Sequence, residues 1–218
     1  MKLFLISVIL GLFALIPSAR LNAQTQGECE TLQDAAYSEC MLGLFSSTTR
    51  DESYKLTLFN SMTAAQLQDI RDYASQGYTV VSVNPTDRDN TIGFNTQGTV
   101  IEPQFGVNYG CREVAFVINR YNGGGNNVWR YIQYFNWCYN NTLIRTKAIA
   151  GTIPKVYGLF WSYEGDINRL DTGGVGQTYF RSTVTGKFSF CMLSPQIGCI
   201  LQETPVHHHT VLPRGQYQ

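Results

Sequence analysis

Apolar positions along the chain change their period twice. Leu3 to Ile16 is a 14-residue run that is uncharged and almost wholly apolar. From residue 28 to residue 77 apolar positions recur every three or four residues, the period of an amphipathic helix. Cys29, Leu32, Ala36, Cys40 and Leu44 form one such stripe, and Leu67, Ile70, Tyr73 and Ala74 form another. Thr63 with Gln66 three residues on is a capping-box pattern that opens the second helix. Gly77 stops it, as a glycine just past a helix end does. Tyr78 to Val83 then reads as a short strand.

From Cys111 onward short apolar runs alternate with turn clusters, the texture of strands joined by tight connections. Strands are expected near 112–120, 128–139, 142–150, 156–164, 177–184, 187–193, 198–203 and 206–212. The turns between them carry Gly123-Gly124-Gly125, Asn140-Asn141, Gly151 with Pro154, Asp171 to Gly176, Thr185-Gly186 and Ser194-Pro195. Short links make consecutive strands antiparallel neighbours. Seven or eight of them close into a sandwich or barrel. The expectation is therefore a mainly β protein, an antiparallel β-sandwich with a small N-terminal helical segment. Residues 84–110 are rich in Asn, Thr, Gly and Asp around Pro85 and Pro103, and read as a linker or long loop.

The first apolar run has the features of an export signal. Lys2 supplies the basic start, Pro17 and Ser18 break the run, and Leu21-Asn22-Ala23 offers a small residue for cleavage. Fourteen residues fall short of the roughly 20 that cross a bilayer as a helix. Removal of 1–23 leaves a helical segment over 24–83, the linker over 84–110 and the β-sandwich over 111–218. The mature protein is expected to be secreted and extracellular, with no membrane span.

Cysteine usage agrees with that compartment. All six cysteines follow the predicted cut, and an even number in a secreted chain implies disulfides. No CxxC or CxxxC pair supports a structural zinc site. Cys191 and Cys199 flank a short Pro/Gly connection, so a hairpin sets them side by side. Cys111 starts one strand and Cys138 ends the next, so a second hairpin pairs them. Cys29 and Cys40 remain. Eleven residues of unbroken helix would hold them about 16 Å apart, too far for a disulfide. Either the helix breaks between them, with its main body starting near residue 34, or one of the pairings differs.

A resemblance covers residues 111–218. Trp137-Cys138-Tyr139-Asn140, Trp161-Ser162-Tyr163, Gly173-Gly174-Val175-Gly176, Phe188-Ser189-Phe190-Cys191 and Gly198-Cys199 occur in that order. The arrangement resembles uncharacterised secreted β-rich proteins found mainly in actinobacteria. The resemblance implies fold and secretion, and no activity.

Charge is uneven. Residues 24–80 hold eight acids and three bases, a net of −5, while residues 81–218 hold eight acids and eleven bases, a net of +3. This predicts that the two parts face each other with complementary charge. Neither part is basic enough for nucleic acid.

Few catalytic chemistries fit the composition. The three histidines are consecutive, His207-His208-His209, so any Ser-His or Cys-His mechanism must use that tract. On a strand His207 and His209 share a face and are weak candidates to bind a metal, against a plain polar edge strand. Glu113, Glu164, Asp166 and Asp171 are candidates for a glycosidase-like carboxylate pair. Against that, Glu164-Gly165-Asp166 and Asp171-Thr172-Gly173 also read as ordinary turns. No G-x-S-x-G, H-E-x-x-H or P-loop pattern is present, and no cofactor is implied. Asn140-Asn141-Thr142 is a glycosylation sequon.

Aromatic residues form the most suggestive pattern. Trp129, Tyr131, Phe135, Trp137 and Tyr139 lie on one face of the 128–139 strand, and Trp161 and Tyr163 repeat the theme on a later one. If that face is open, Trp129, Tyr131, Trp137, Tyr139, Trp161 and Tyr163 could stack on sugar rings. If covered, it is core. The sequence thus points to a non-enzymatic secreted binding or interaction module for an extracellular glycan or surface ligand. A carboxylate-dependent glycan hydrolase is the alternative, and a secreted toxin or antagonism factor a third reading.

Overall fold

A computed structural model describes residues 25–85, 110–146, 148–193 and 198–218. The expected signal peptide and most of the expected linker lie outside the described residues. Four short helices come first: α1 (Gln26–Cys29), α2 (Asp34–Ser46), α3 (Glu52–Ser61) and α4 (Ala64–Ser75). Eight strands follow: β1 (Gly77–Pro85), β2 (Gly110–Asn122), β3 (Asn127–Tyr139), β4 (Ile149–Val156), β5 (Trp161–Gly173), β6 (Phe180–Cys191), β7 (Cys199–Glu203) and β8 (Val206–Val211).

The strands form two antiparallel four-stranded sheets. One has the order β1-β2-β3-β4. In the other β6 is central, paired with β5 along one side and with β7 and β8 in succession along the other. The sheets pack face to face. Val114, Phe116, Phe135 and Trp137 of the first meet Phe180 and Val211 of the second. Ile118, Trp129 and Tyr131 meet Val184, Phe188 and Phe190. The fold is the expected β-sandwich, and β1 belongs to it rather than to the helical segment.

Helices α2 to α4 cap one end of the sandwich. Tyr37, Met41, Leu44, Phe45, Leu58 and Ile70 bury against Trp129, Phe188, Phe190 and Met192. Local sequence explains the helix boundaries. Asp51 caps α3 by accepting from Tyr54 N–H, and Thr63 with Gln66 forms the capping box of α4. The first stripe needs correction. A turn between α1 and α2 shifts the phase, so Tyr37, Cys40, Met41, Leu44 and Phe45 are buried while Leu32 and Ala36 are exposed. That same turn brings Cys29 and Cys40 to a Cα separation of 5.5 Å. The disulfides are Cys29–Cys40, Cys111–Cys138 and Cys191–Cys199.

Three strand expectations also change. The strand expected at 142–150 starts only at Ile149, because Asn140 Oδ1 accepts from the backbone of Thr142 and Leu143 and holds 140–143 as an Asx-type turn. The strand expected at 156–164 becomes β5, which starts after a turn at 158–160 and runs on to Gly173. The two strands expected at 177–184 and 187–193 are one, β6. Thr185-Gly186 is not a turn: Gly186 pairs with Asp166 in mid-sheet. A Cβ on Gly186 would lie 2.8 Å from Cζ of Tyr131, so glycine is there to admit that ring from the opposite sheet.

The ion pairs Lys55–Glu52, Arg120–Glu203, Arg169–Asp171 and Lys187–Glu164 each link residues of one part. The junction is apolar, with one buried cation at its edge. Arg120 Nε donates to both carboxylate oxygens of Glu203 at 3.0 and 3.2 Å, and its Nη2 donates to Ser75 O at the end of α4 at 2.8 Å.

Candidate functional site

The aromatic face of β3 is the centre of the sandwich. Trp129, Tyr131 and Trp137 are fully buried, and Trp161 is 9 % exposed. The indole N–H of Trp129 donates to Glu203 Oε2 and that of Trp137 to Leu212 O, both at 3.0 Å. Tyr139 and Tyr163 are partly buried against the same core. The open row of rings that would stack on a glycan is therefore not present. Strand alternation places Trp129, Tyr131, Phe135 and Trp137 inward, and the second sheet covers them. Gln133, on the same face, donates from Nε2 to Ser182 Oγ at 2.9 Å in the middle of the core.

The four carboxylates do not make an acid–base pair. Glu113 accepts from Asn136 Nδ2 on the exposed face of the first sheet. Asp171 pairs with Arg169. Glu164 pairs with Lys187 at 2.7 Å, and hydrogen bonds from Lys187 and Ser189 hold its carboxyl below the usual range. Asp166 accepts from Tyr131 Oη at 2.6 Å, from Thr152 Oγ1 at 2.8 Å and from Tyr163 Oη. Partial burial opposes its ionisation. The three hydroxyls outweigh that and hold its carboxyl below the usual range. The same desolvation, with the adjacent carboxylate, pushes the hydroxyls of Tyr131 and Tyr163 upward. A glycosidase acid must stay protonated near neutrality, and Glu164 and Asp166 are tuned the opposite way. Asp166 joins β5 to β3 and β4 across the sheets.

His207 and His209 point inward and His208 outward, as strand alternation requires. His207 is buried and donates from Nε2 to Tyr131 O at 3.1 Å, which turns its Nδ1 toward His209 Nε2 at 3.2 Å. His209 stacks on Phe116 with centroids 3.6 Å apart. The ring nitrogens thus serve the fold, and burial pushes both histidines down to about 4. His208 meets Thr183 Oγ1 at 2.7 Å. β8 is the edge strand that the plain reading expects, but it is not polar on both faces: His207 is buried and His209 partly buried. Among the described residues, the acidic and sulfur ligand atoms that cluster within metal-binding distance belong to Glu164, Cys191 and Cys199. The last two are joined to each other and offer no thiolate. The sequon residue Asn140 is 7 % exposed, and its amide oxygen is committed to the turn at 140–143.

A concave site exists where the helical cap meets the sandwich. It is a cleft of about 540 Å³ floored by Phe45, Phe160, Trp161, Met192 and Leu193. Glu52 and Lys55 line it, paired at 3.3 Å one turn apart on α3, together with Ser46 and the exposed Leu159. The turn between β4 and β5 shapes this wall. Phe160 takes a left-handed φ of 67°, and its carbonyl accepts from Cys191 N–H at 2.7 Å, which fixes it beside the Cys191–Cys199 disulfide. Gly158 is glycine because a Cβ there would lie 2.9 Å from both Trp161 Cδ1 and Val128 Cβ. Of the six aromatic candidates, Trp161 alone lines the cleft. The other lining residues carried no signal in the sequence, because they come from three separate stretches of chain.

No family model, curated protein or solved structure matches the chain. Among the described residues, no helix is long and apolar enough to cross a membrane. The class that fold and site define is a disulfide-stapled β-sandwich with a helical cap and a cleft at their junction.

Proposed function

We propose that this protein is an exported, non-enzymatic binding module that takes an extracellular surface ligand into the cleft between cap and sandwich. The observation that carries the reading is the cleft itself. It is of ligand size, has an apolar floor and a paired charge on its rim, and lies at a junction of two structural parts, where such sites concentrate. Three disulfides and the apolar N-terminal run support export. The similarity of 111–218 to secreted β-rich proteins of actinobacteria belongs to the same proposal. Trp161 in the cleft wall keeps a glycan among the candidate ligands.

Retention of the purified mature chain on a panel of polysaccharides and cell walls tests this. Ser46 is exposed at the mouth of the cleft, so Ser46→Trp fills it without entering the core. Retention on one member of the panel, lost in Ser46→Trp, supports the reading. Retention on none of them, or retention unchanged by Ser46→Trp, refutes it.

A further inference from the structure

Part of the acidic excess of the helical part surrounds a second cleft. This cleft, of about 300 Å³, is lined by Glu30, Leu32, Gln33, Asp34 and Tyr37 from the α1–α2 region and by Gln66 and Asp69 of α4. The turn between α1 and α2, held by the Cys29–Cys40 disulfide, brings Glu30 round to face α4. On α4, Gln66 and Asp69 are three residues apart and share a face. The three carboxylates come from separate elements and lie around one opening.

Tyr37 distinguishes this cleft from an ordinary acidic surface. Its side chain is 5 % exposed, and its hydroxyl is buried with no hydrogen-bond partner among the described residues. A buried hydroxyl without a partner is costly. It sits in a wall of the cleft, close enough to Glu30 and Asp69 that their charges add to burial in pushing it up to about 12. The phenol therefore stays neutral, with its oxygen lone pairs uncommitted beside two carboxylates.

The carboxylate spacing decides between kinds of cation. Glu30, Asp34 and Asp69 are not a group whose ligand atoms all lie within 4.8 Å of one another, as a bare metal ion would need. An organic cation has its N–H donors spread over several ångströms and does not require carboxylates that converge on one point. We propose that the cleft binds a guanidinium or primary ammonium group of a small molecule, with Glu30, Asp34 and Asp69 around the charge and the Tyr37 hydroxyl accepting one N–H. This site is separate from the cleft that floors on Trp161, and neither proposal depends on the other.

Calorimetric titration of the mature chain with agmatine, in salt of about 0.15 M to screen diffuse attraction, tests the assignment. Agmatine carries a guanidinium and an ammonium on one short stem. The expected result is saturable one-to-one binding. Asp69→Asn, at an exposed position the fold tolerates, weakens it by a factor of about 10 or more. Tyr37→Phe removes only the hydroxyl and weakens it as well. Asp72→Asn, on the same helix outside the cleft, leaves it unchanged. Absent binding overturns the proposal, as does binding indifferent to Asp69→Asn or to Tyr37→Phe, or reduced equally by Asp72→Asn. Calcium chloride is the second titrant: heat with calcium and none with agmatine overturns the choice of an organic cation.

Discussion

Tyr131 of β3 and Asp166 of β5 are hydrogen-bonded across the two sheets at 2.6 Å, with the tyrosine ring seated over Gly186. The pair joins the sandwich at a point where both partners looked functional in the sequence. One read as part of a sugar-stacking row and the other as a candidate acid or base. Together they are a structural bond whose carboxylate is kept ionised by the hydroxyls it accepts from.

Removing that carboxylate strands a buried hydroxyl. Asp166→Ala removes the carboxylate that accepts from the fully buried Tyr131 and from Tyr163 and Thr152, a loss of about 1–3 kcal/mol. Asp166→Asn keeps an acceptor oxygen and is expected to cost less. Urea unfolding of the two variants orders them, and equal stability of Asp166→Ala and wild type would contradict the role assigned to the bond.

Gly186 is the second half of the same arrangement. Gly186→Ala places a methyl 2.8 Å from the Tyr131 ring and forces the ring or the strand to move, a cost of about 1–3 kcal/mol. The penalty is expected to shrink when Tyr131 is also replaced by Leu. A double-mutant cycle reads that coupling, and strictly additive losses would show that the ring is not what the glycine accommodates.

The histidine pair makes stability depend on pH in a defined window. Burial holds His207 and His209 at about 4 in the folded chain, while an unfolded histidine titrates near 6.5. Between those values the unfolded state binds protons that the folded state refuses, so stability falls as pH drops from about 6.5 to about 4. Glu164 and Asp166 are depressed, so their stabilising contribution is lost lower, below the ordinary carboxylate range. Denaturation midpoints at pH 7 and pH 5 separate the two. A midpoint that does not move between these values would refute the histidine assignment.

Arg120 ties the helical cap to the sandwich. Its guanidinium, 7 % exposed, holds Glu203 and the carbonyl of Ser75, the last residue of α4. Arg120→Ala leaves the part-buried Glu203 carboxylate without its cation, with only the Trp129 indole N–H to hold it, and frees the Ser75 carbonyl; it is expected to cost about 3 kcal/mol. The added expectation is spatial. Amide exchange in α4 should quicken more than in β2 or β3, and uniform acceleration would count against a specific tie.

Much of the architecture was legible because it follows from short-range rules. The 3.6-residue period gave the capped α4, and the alternating period gave β2, β3 and β8. The two hairpins set Cys111 beside Cys138 and Cys191 beside Cys199. The misread stretches share a cause. Gly186 looked like a turn because its partner, the Tyr131 ring, comes from 55 residues earlier in the chain. Residues 142–148 looked like a strand because the Asx turn at Asn140 competes with it through side-chain bonds that periodicity does not register. Leu32 and Ala36 looked buried because the turn between α1 and α2 resets the helical phase.

By itself the sequence determined the two kinds of structure, their order and which side chains share a face on β3 and β8. These depend on residues within a few positions of one another. Only the tertiary structure decided which faces are covered, since burial is a property of what packs on top. The second sheet turned the aromatic row of β3 from a candidate ligand surface into core. It turned His207 and His209 from candidate ligands into neutral rings, the first buried and the second partly so. The clefts beside Trp161 and Tyr37 exist because distant segments converge, and no period along the chain records that convergence.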